Sequence, residues 1–144
     1  MKISFEHYKT VDYDQLVNIW VKSGLPYKPN GRDSKENIEN EIKLDCNQFL
    51  FAIHESKYIG SIVVSHDGRK GWINRVAVLP EYRNKGVARL LVETGEQWLD
   101  EQGIGIVACM IEDYNEESFE VFKKMGYIPF EGIRYLTKRK YADI

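Results

Sequence analysis

INRVAVLPEYRNKGVARLL, residues Ile73 to Leu91, decides how the chain is read. Ile73 to Val78 is a short strand, Pro80 marks a turn, and Arg83-Asn84-Lys85-Gly86-Val87-Ala88 is a basic, glycine-containing loop that opens an amphipathic helix. Strand, loop and helix in this order suit the backbone binding of a phosphate chain. The first amides of a helix lack partners, and the helix dipole is positive at that end. Arg83, Lys85 and Arg89 add charge, and Gly86 lets the backbone approach a ligand closely. The stretch therefore predicts a grip on the pyrophosphate of a nucleotide-like cofactor. A turn with solvated basic residues has the same six-residue pattern, so its context has to decide.

The preceding strands read as a meander. Phe49–His54 and Tyr58–His66 are joined by Glu55-Ser56-Lys57, and Asp67-Gly68 turns the chain into Trp72–Val78. Further upstream, residues 2–8 alternate as a first strand. Asp12-x-x-Gln15 resembles a capping box opening a helix through Leu16, Ile19 and Trp20 to Gly24. A loop from Leu25 to Arg32 precedes a second helix start, Asp33-x-x-Glu36, with Ile38, Glu41, Ile42 and Leu44 on successive turns.

Downstream, Gly86 to Asp100 places Val87, Leu90, Leu91, Thr94 and Trp98 on one helical face, closed by Gly103. Ile104 to Ile111 is an almost unbroken apolar run, the pattern of a strand covered on both faces. Asn115 to Met125 is a further helix, and Tyr127–Phe130 and Ile133–Thr137 read as two closing strands. The predicted order is β-α-α-β-β-β-α-β-α-β-β. That is a mixed α/β fold, a mostly antiparallel sheet of about seven strands with helices on both faces, four in all.

The 144 residues, without repeat or linker, predict a single domain over 1–144. A net charge of −2 argues against nucleic-acid binding, and Lys138-Arg139-Lys140 reads as a solvated end. No apolar run approaches the ~18 residues of a membrane span, and MKISFEHYKT lacks a signal peptide's apolar stretch. Cys46 and Cys109 form no CxxC or zinc spacing and read as reduced, mostly buried thiols, which predicts a cytoplasmic protein. His7, His54 and His66 have no ligand partners nearby, so no metal is expected. Gly103-Ile104-Gly105-Ile106-Val107-Ala108 matches GxGxxA, but it follows a helix and opens a strand, the reverse of a dinucleotide fingerprint. GxxxxGK[ST] is absent, so P-loop nucleotide hydrolysis is not supported.

R-N-K-G-V-A, preceded by V-A-V-L-P-E-Y, resembles the acetyl-CoA signature (Arg/Gln-x-x-Gly-x-Gly/Ala) of the GNAT N-acetyltransferase superfamily. Asn115-x-x-Ser118, followed by Lys124-Met125-Gly126-Tyr127, resembles that family's second motif, N-x-x-A … K-x-G-F/Y. The element order agrees along nearly the whole chain. The resemblance implies an acetyl-CoA-dependent N-acetyltransferase without metal, active as a monomer or homodimer on a small-molecule or peptide amine. It implies that the strand before the loop splays from its neighbour, so that Val76 and Val78 pair with the pantetheine arm as an added strand would. The amides of Asn84, Lys85, Gly86, Val87, Ala88 and Arg89 would hold the pyrophosphate, with Arg83 beside them. The N–H near Ala77 or Val78 would polarise the thioester carbonyl. Asn115 would contact the cofactor near its sulfur end, with Ser118 and Phe122 along the arm.

The departures from the family pattern concern protons. The family often places a Tyr acid seven residues after the Asn, and here that position is Phe122. Many members carry a carboxylate base just before V-A-V, where this chain has Asn74 and Arg75. Aminolysis of a thioester draws mostly on proximity and oxyanion stabilisation, so acid–base help of ~10²–10⁴-fold is either dispensable or supplied elsewhere. Glu112, Asp113 and Tyr114 at the end of the apolar strand are the candidate substitutes. Tyr27 and Arg32 are candidate acceptor contacts. Two other readings stay open: an acyl-CoA sensor with little turnover, and an enzyme that acetylates a partner protein.

Overall fold

Period-two alternation in the middle of the chain gives a sheet with two buried faces. The computed structural model describes all residues from Met1 to Ile144. Its strands are β1 (Ser4–His7), β2 (Asn47–His54), β3 (Lys57–His66), β4 (Gly71–Val78) and β5 (Val107–Ala108), side by side in chain order. β1 to β4 pair antiparallel, while β5 joins β4 in parallel.

Leu50, Ala52, Ile62 and Val64 point to one face, where they pack against α3 (Val87–Glu101) and against Phe122 of α4 (Glu116–Lys124). Phe49, Phe51, Ile53 and Val63, one residue out of phase, meet α1 (Tyr13–Ser23) and α2 (Lys35–Glu41) on the other face. The mixed fold with four helices on both faces is as expected. The strand count differs: the sheet is five-stranded.

The difference lies at the end of the chain. β5 is two residues long and half-buried, and Ile106 and Met110 are exposed, so Ile104–Ile111 is not a covered central strand. Tyr127–Phe130 and Ile133–Thr137 form no strands, and Ile128, Phe130, Ile133 and Leu136 face solvent. Their alternation suits a strand, but a strand needs an edge to pair with, and β5 offers only a short one.

Three helix details also differ. Asp12 does not cap α1; its carboxylate accepts the Lys9 N–H at 2.8 Å and closes a 3-10 turn ahead of the helix. Ser34, not Asp33, caps α2, its Oγ accepting the Asn37 N–H at 3.2 Å. The buried face of α3 is Val87, Leu91, Val92, Gly95 and Leu99, while Leu90 and Thr94 lie to one side of it. A Cβ on Gly95 would sit 2.8 Å from Val64 Cγ2, so this glycine sets the close approach of α3 to the sheet. Apolar periodicity overlooks it because it has no side chain to count.

Candidate active site

The site begins with a break in the phase of β4. Val63 pairs with Asn74, but Ser61 pairs with Ala77, so β4 carries an extra residue. Arg75 takes the left-handed conformation (φ 52°) that accommodates such a bulge. Ile73 and Val78 consequently share one core face although they stand an odd number of positions apart, and Val76 packs there too. Arg75 falls on the α1 side. Its guanidinium lies 4.1 Å from the Trp20 ring centroid, donates to the Pro26 carbonyl at 2.7 Å, and is 3.9 Å from the Asp33 carboxylate.

The same bulge turns backbone groups toward an open edge. β5 pairs only with Gly71 and Trp72, leaving β4 without a neighbour on that side from Ile73 onward. Leu79 N–H donates to Ile59 O of β3, so by alternation Ala77 N–H also faces β3, while Val76 and Val78 face the open edge. Of the two oxyanion candidates, Val78 therefore has the available amide.

β4 leads through the Pro80–Tyr82 turn into the loop. Asn84 and Gly86 take left-handed conformations (φ 60° and 81°), and Gly86 caps the 15-residue α3. No amide from Asn84 to Arg89 donates to a backbone acceptor; the first to do so is Leu90, to Gly86 O. Arg83, Asn84, Lys85, Gly86 and Arg89 are exposed, Ala88 is half-buried, and Val87 is anchored in the core. This run of unpartnered amides at the positive end of a helix is a ready anion site. Arg83 is placed otherwise than the sequence suggests. Its guanidinium donates to Ser23 O at 2.8 Å and Val78 O at 3.4 Å, tying the end of α1 to the exit of β4.

α4 stands beyond β5. Asn115 caps it, Oδ1 accepting the N–H of the half-buried Ser118 at 3.2 Å. Phe122 is buried edge-to-face on Tyr127, with ring centroids 5.0 Å apart. The Tyr127 hydroxyl donates to Glu96 on α3 at 2.8 Å, and burial together with that carboxylate pushes its pKa up. Glu112, Asp113 and Tyr114 lie in an exposed turn before α4. Burial raises the Cys109 thiol pKa, which keeps it protonated and unreactive.

On the α1 and α2 face, a cavity of about 530 Å³ lies beside the bulge. Arg32, Arg75, Glu41 and Asn74 line it, with Lys138 and Arg139 from the closing segment. Tyr27 lies outside this lining and tilts against Trp20 instead. Nowhere do three or more His, Cys, Asp or Glu side chains gather as a metal ligand set. No helix is long and apolar enough to cross a membrane.

Residues 13–127 match the Acetyltransferase (GNAT) family. The chain belongs to that family. It is an acyltransferase of the acetyl-CoA-dependent kind, and its open β4 edge and unpartnered α3 amides fit that cofactor. An acetyltransferase of Sodalis glossinidius is 26% identical over 132 residues, 92% of each chain. Among solved structures, the aminoglycoside acetyltransferase AAC(6')-Iy, in complex with a CoA-linked bisubstrate analogue, superposes with a TM-score of 0.82. It is 18% identical, over 96% of this chain and 99% of that one. The PaiA N-acetyltransferase of Thermoplasma acidophilum, in complex with coenzyme A, has a TM-score of 0.75 at 24% identity, over 87% and 89% of the two chains.

In this GNAT acetyltransferase the sequence reading missed that Glu41, Asp33 and Arg75 line one cavity. The out-of-phase apolar residues Ile73, Val76 and Val78 were the available signal for the bulge. Burial pushes the Glu41 carboxyl above its ordinary 4.5; Asp33 pushes the same way, while Arg75 and Arg32 pull it down. The folded chain thus holds this proton more tightly than the unfolded chain. The resulting stability is present below pH 4.5 and is lost as the pH rises through the folded value. Glu41→Gln is expected to raise the melting temperature at pH 7, with the gain shrinking toward pH 4. A fall at pH 7 would show instead that the carboxylate is favourably paired.

Proposed function

We propose that this chain moves the acetyl group of acetyl-CoA onto a primary amine of a small molecule, by direct attack in a ternary complex. The observation that carries this reading is the run of unpartnered amides from Asn84 to Arg89, continuous with the open edge of β4. Acetyl-CoA supplies an activated thioester when bound. The chain holds and aims it. Amides at the head of α3 take the pyrophosphate, with Lys85 and Arg89 adding charge. Val76 and Val78 pair with the pantetheine arm along the open edge, and Asn115 and Ser118 flank it from α4. Val78 N–H faces the carbonyl oxygen and gains strength as negative charge develops there.

The neutral acceptor amine attacks the carbonyl carbon, forming the C–N bond as the C–S bond breaks. Orientation carries most of the acceleration. Phe122 offers no proton to the departing sulfur, and Tyr127 is engaged by Glu96. Glu112, Asp113 and Tyr114 are the exposed groups we assign to proton traffic at that end. A small acceptor suits the size of the cavity beside Arg75.

Release of free thiol from acetyl-CoA in the presence of an amine panel tests the reading. It fails if no thiol appears above hydrolysis and calorimetry detects no CoA binding. With a turned-over acceptor, Phe122→Tyr is expected to raise kcat by roughly tenfold or more by restoring a general acid. An unchanged kcat would mean that proton delivery to sulfur is not limiting.

A further inference from the structure

The closing segment is the longest part of the chain that the fold leaves without a partner. From Ile128 to Lys140 no backbone N–H or C=O takes part in a backbone hydrogen bond. Within that span Ile128, Phe130 and Leu136 are 88%, 82% and 83% exposed, and Ile133 and Tyr135 are 72% and 71% exposed. These five side chains expose roughly 800 Å², more than the ~300–600 Å² of the largest apolar patch on an ordinary monomer. That area matches the ~800 Å² each partner contributes to a stable interface.

Two anchors hold the segment to its own protomer. At one end the Tyr127 N–H donates to Phe122 O at 3.0 Å, and its hydroxyl reaches Glu96 on the α3 face. At the other, Arg32 donates to Ile144 O at 2.8 Å and Lys28 lies 3.8 Å from Asp143. Gly31 fits against the backbone of Asp143 and Ile144, where any Cβ would clash. Between the anchors the span passes from one face of the sheet to the other without pairing to β5.

The edge left free suits such a strand. β5 ends the sheet, and of the apolar run Ile104–Ile111 only Val107 and Ala108 pair as a strand. Ile106 and Met110 of that run are exposed. An unpaired edge is a template for another chain, and charge selects which. Just past the run, Glu112, Asp113, Glu116 and Glu117 are exposed and form no ion pair. In the closing segment Arg134, Lys138 and Lys140 are exposed and form none either. The two sets of unpaired charge are opposite in sign, and they belong to the two elements that lack backbone partners. A second copy of the chain offers both.

We infer that two copies associate about a two-fold axis, each laying its Ile128–Leu136 span as an added strand along the outer side of the other's β5. The contact is isologous, so both spans and both edges are covered at once and no third copy can add. The outer side of β5 faces away from β4, so the edge assigned to the cofactor stays clear. Tyr135, Thr137, Lys138 and Arg139 line the cavity beside Arg75, so docking of the segment also steadies one wall of that cavity.

Sedimentation equilibrium and hydrogen exchange on the full chain test this. The mass at micromolar concentration is expected to be twice the 16.8 kDa of one chain. On dilution, the outward-facing amides of Ile104–Ile111 and every second amide of Ile128–Leu136 should exchange about tenfold faster or more as each loses its strand partner. Phe130→Asp/Leu136→Asp alters two side chains that are exposed in the single chain, so the fold should be retained while the dimer Kd rises about a hundredfold or more. A monomer at every concentration overturns the inference. So does a dimer that the double variant leaves intact, or exchange in these two segments that dilution does not change. A mass that grows past two chains would show head-to-tail pairing and overturn the two-fold arrangement.

Discussion

Gly86→Asp is expected to weaken CoA binding by two to three orders of magnitude, about 3–4 kcal/mol. Gly86 stands at the head of α3 between amides that have no partner in the protein. A Cβ built there meets nothing within 4 Å, so the substitution would cause no clash in the folded chain. The new carboxylate would, however, occupy the space a pyrophosphate needs and would cap the helix itself. A carboxylate about 4 Å from a phosphate charge costs about 4 kcal/mol at the effective dielectric of a protein surface.

Gly86→Ala separates charge from backbone strain. At φ 81° any L side chain is disfavoured, by about 1–2 kcal/mol, but that strain is present with and without ligand. The Ala variant should therefore lose stability while binding CoA within about tenfold of the parent. Calorimetric titration reads both variants. If Gly86→Asp bound CoA as tightly as the parent, the loop would not be the anion site.

Deleting Arg75 is expected to destabilise the fold by only about 1–3 kcal/mol of the roughly 5–15 kcal/mol available to a domain. Ile73, Val76 and Val78 lie on the α3 face and Ala77 on the α1 face. Without the extra residue, strict alternation from Ile73 keeps all four on those faces. The loss is the guanidinium's: a Trp20 stack worth about 0.5–2 kcal/mol and a hydrogen bond to Pro26 O worth about 1.5–3 kcal/mol, against about 1–2 kcal/mol of left-handed strain relieved. Arg75→Gly keeps the bulge. It loses the same contacts and relieves the same strain, so its stability should lie within about 1 kcal/mol of the deletion's. Denaturant midpoints compare the two. A deletion variant far less stable than Arg75→Gly would show that the bulge itself, and not the guanidinium, holds β4 in place.

The Gly86 and Arg75 predictions rest on information of different kinds. The Arg83–Ala88 loop was legible because its determinants are local: a turn, a glycine and the first amides of a helix that follow one another in the chain. The same holds for the β2–β4 meander, whose short connections leave few alternative pairings, and for Asn115, whose capping role depends on the next three residues. The absence of a carboxylate before V-A-V was also legible, and the sequence reading took Asn74 and Arg75 only as missing chemistry.

By itself, then, the sequence determined the family, the strand–loop–helix that we propose grips the cofactor, and the sandwich of helices around a mostly antiparallel sheet, since each follows from local pattern and spacing. Three things were decided only by tertiary structure. Val78 rather than Ala77 presents its amide to the open edge, because one bulged residue reverses the alternation. The closing segments stay unpaired despite their strand-like pattern, because β5 ends after two residues. Arg32, Arg75 and Arg139 converge on one cavity from distant parts of the chain, since close packing around Trp20 and Gly31 brings their elements together. In the Ile73–Leu91 stretch the loop and helix start of the proposed cofactor grip are local and were read in advance; the lining of the cavity beside Arg75 depends on contacts that no local pattern contains.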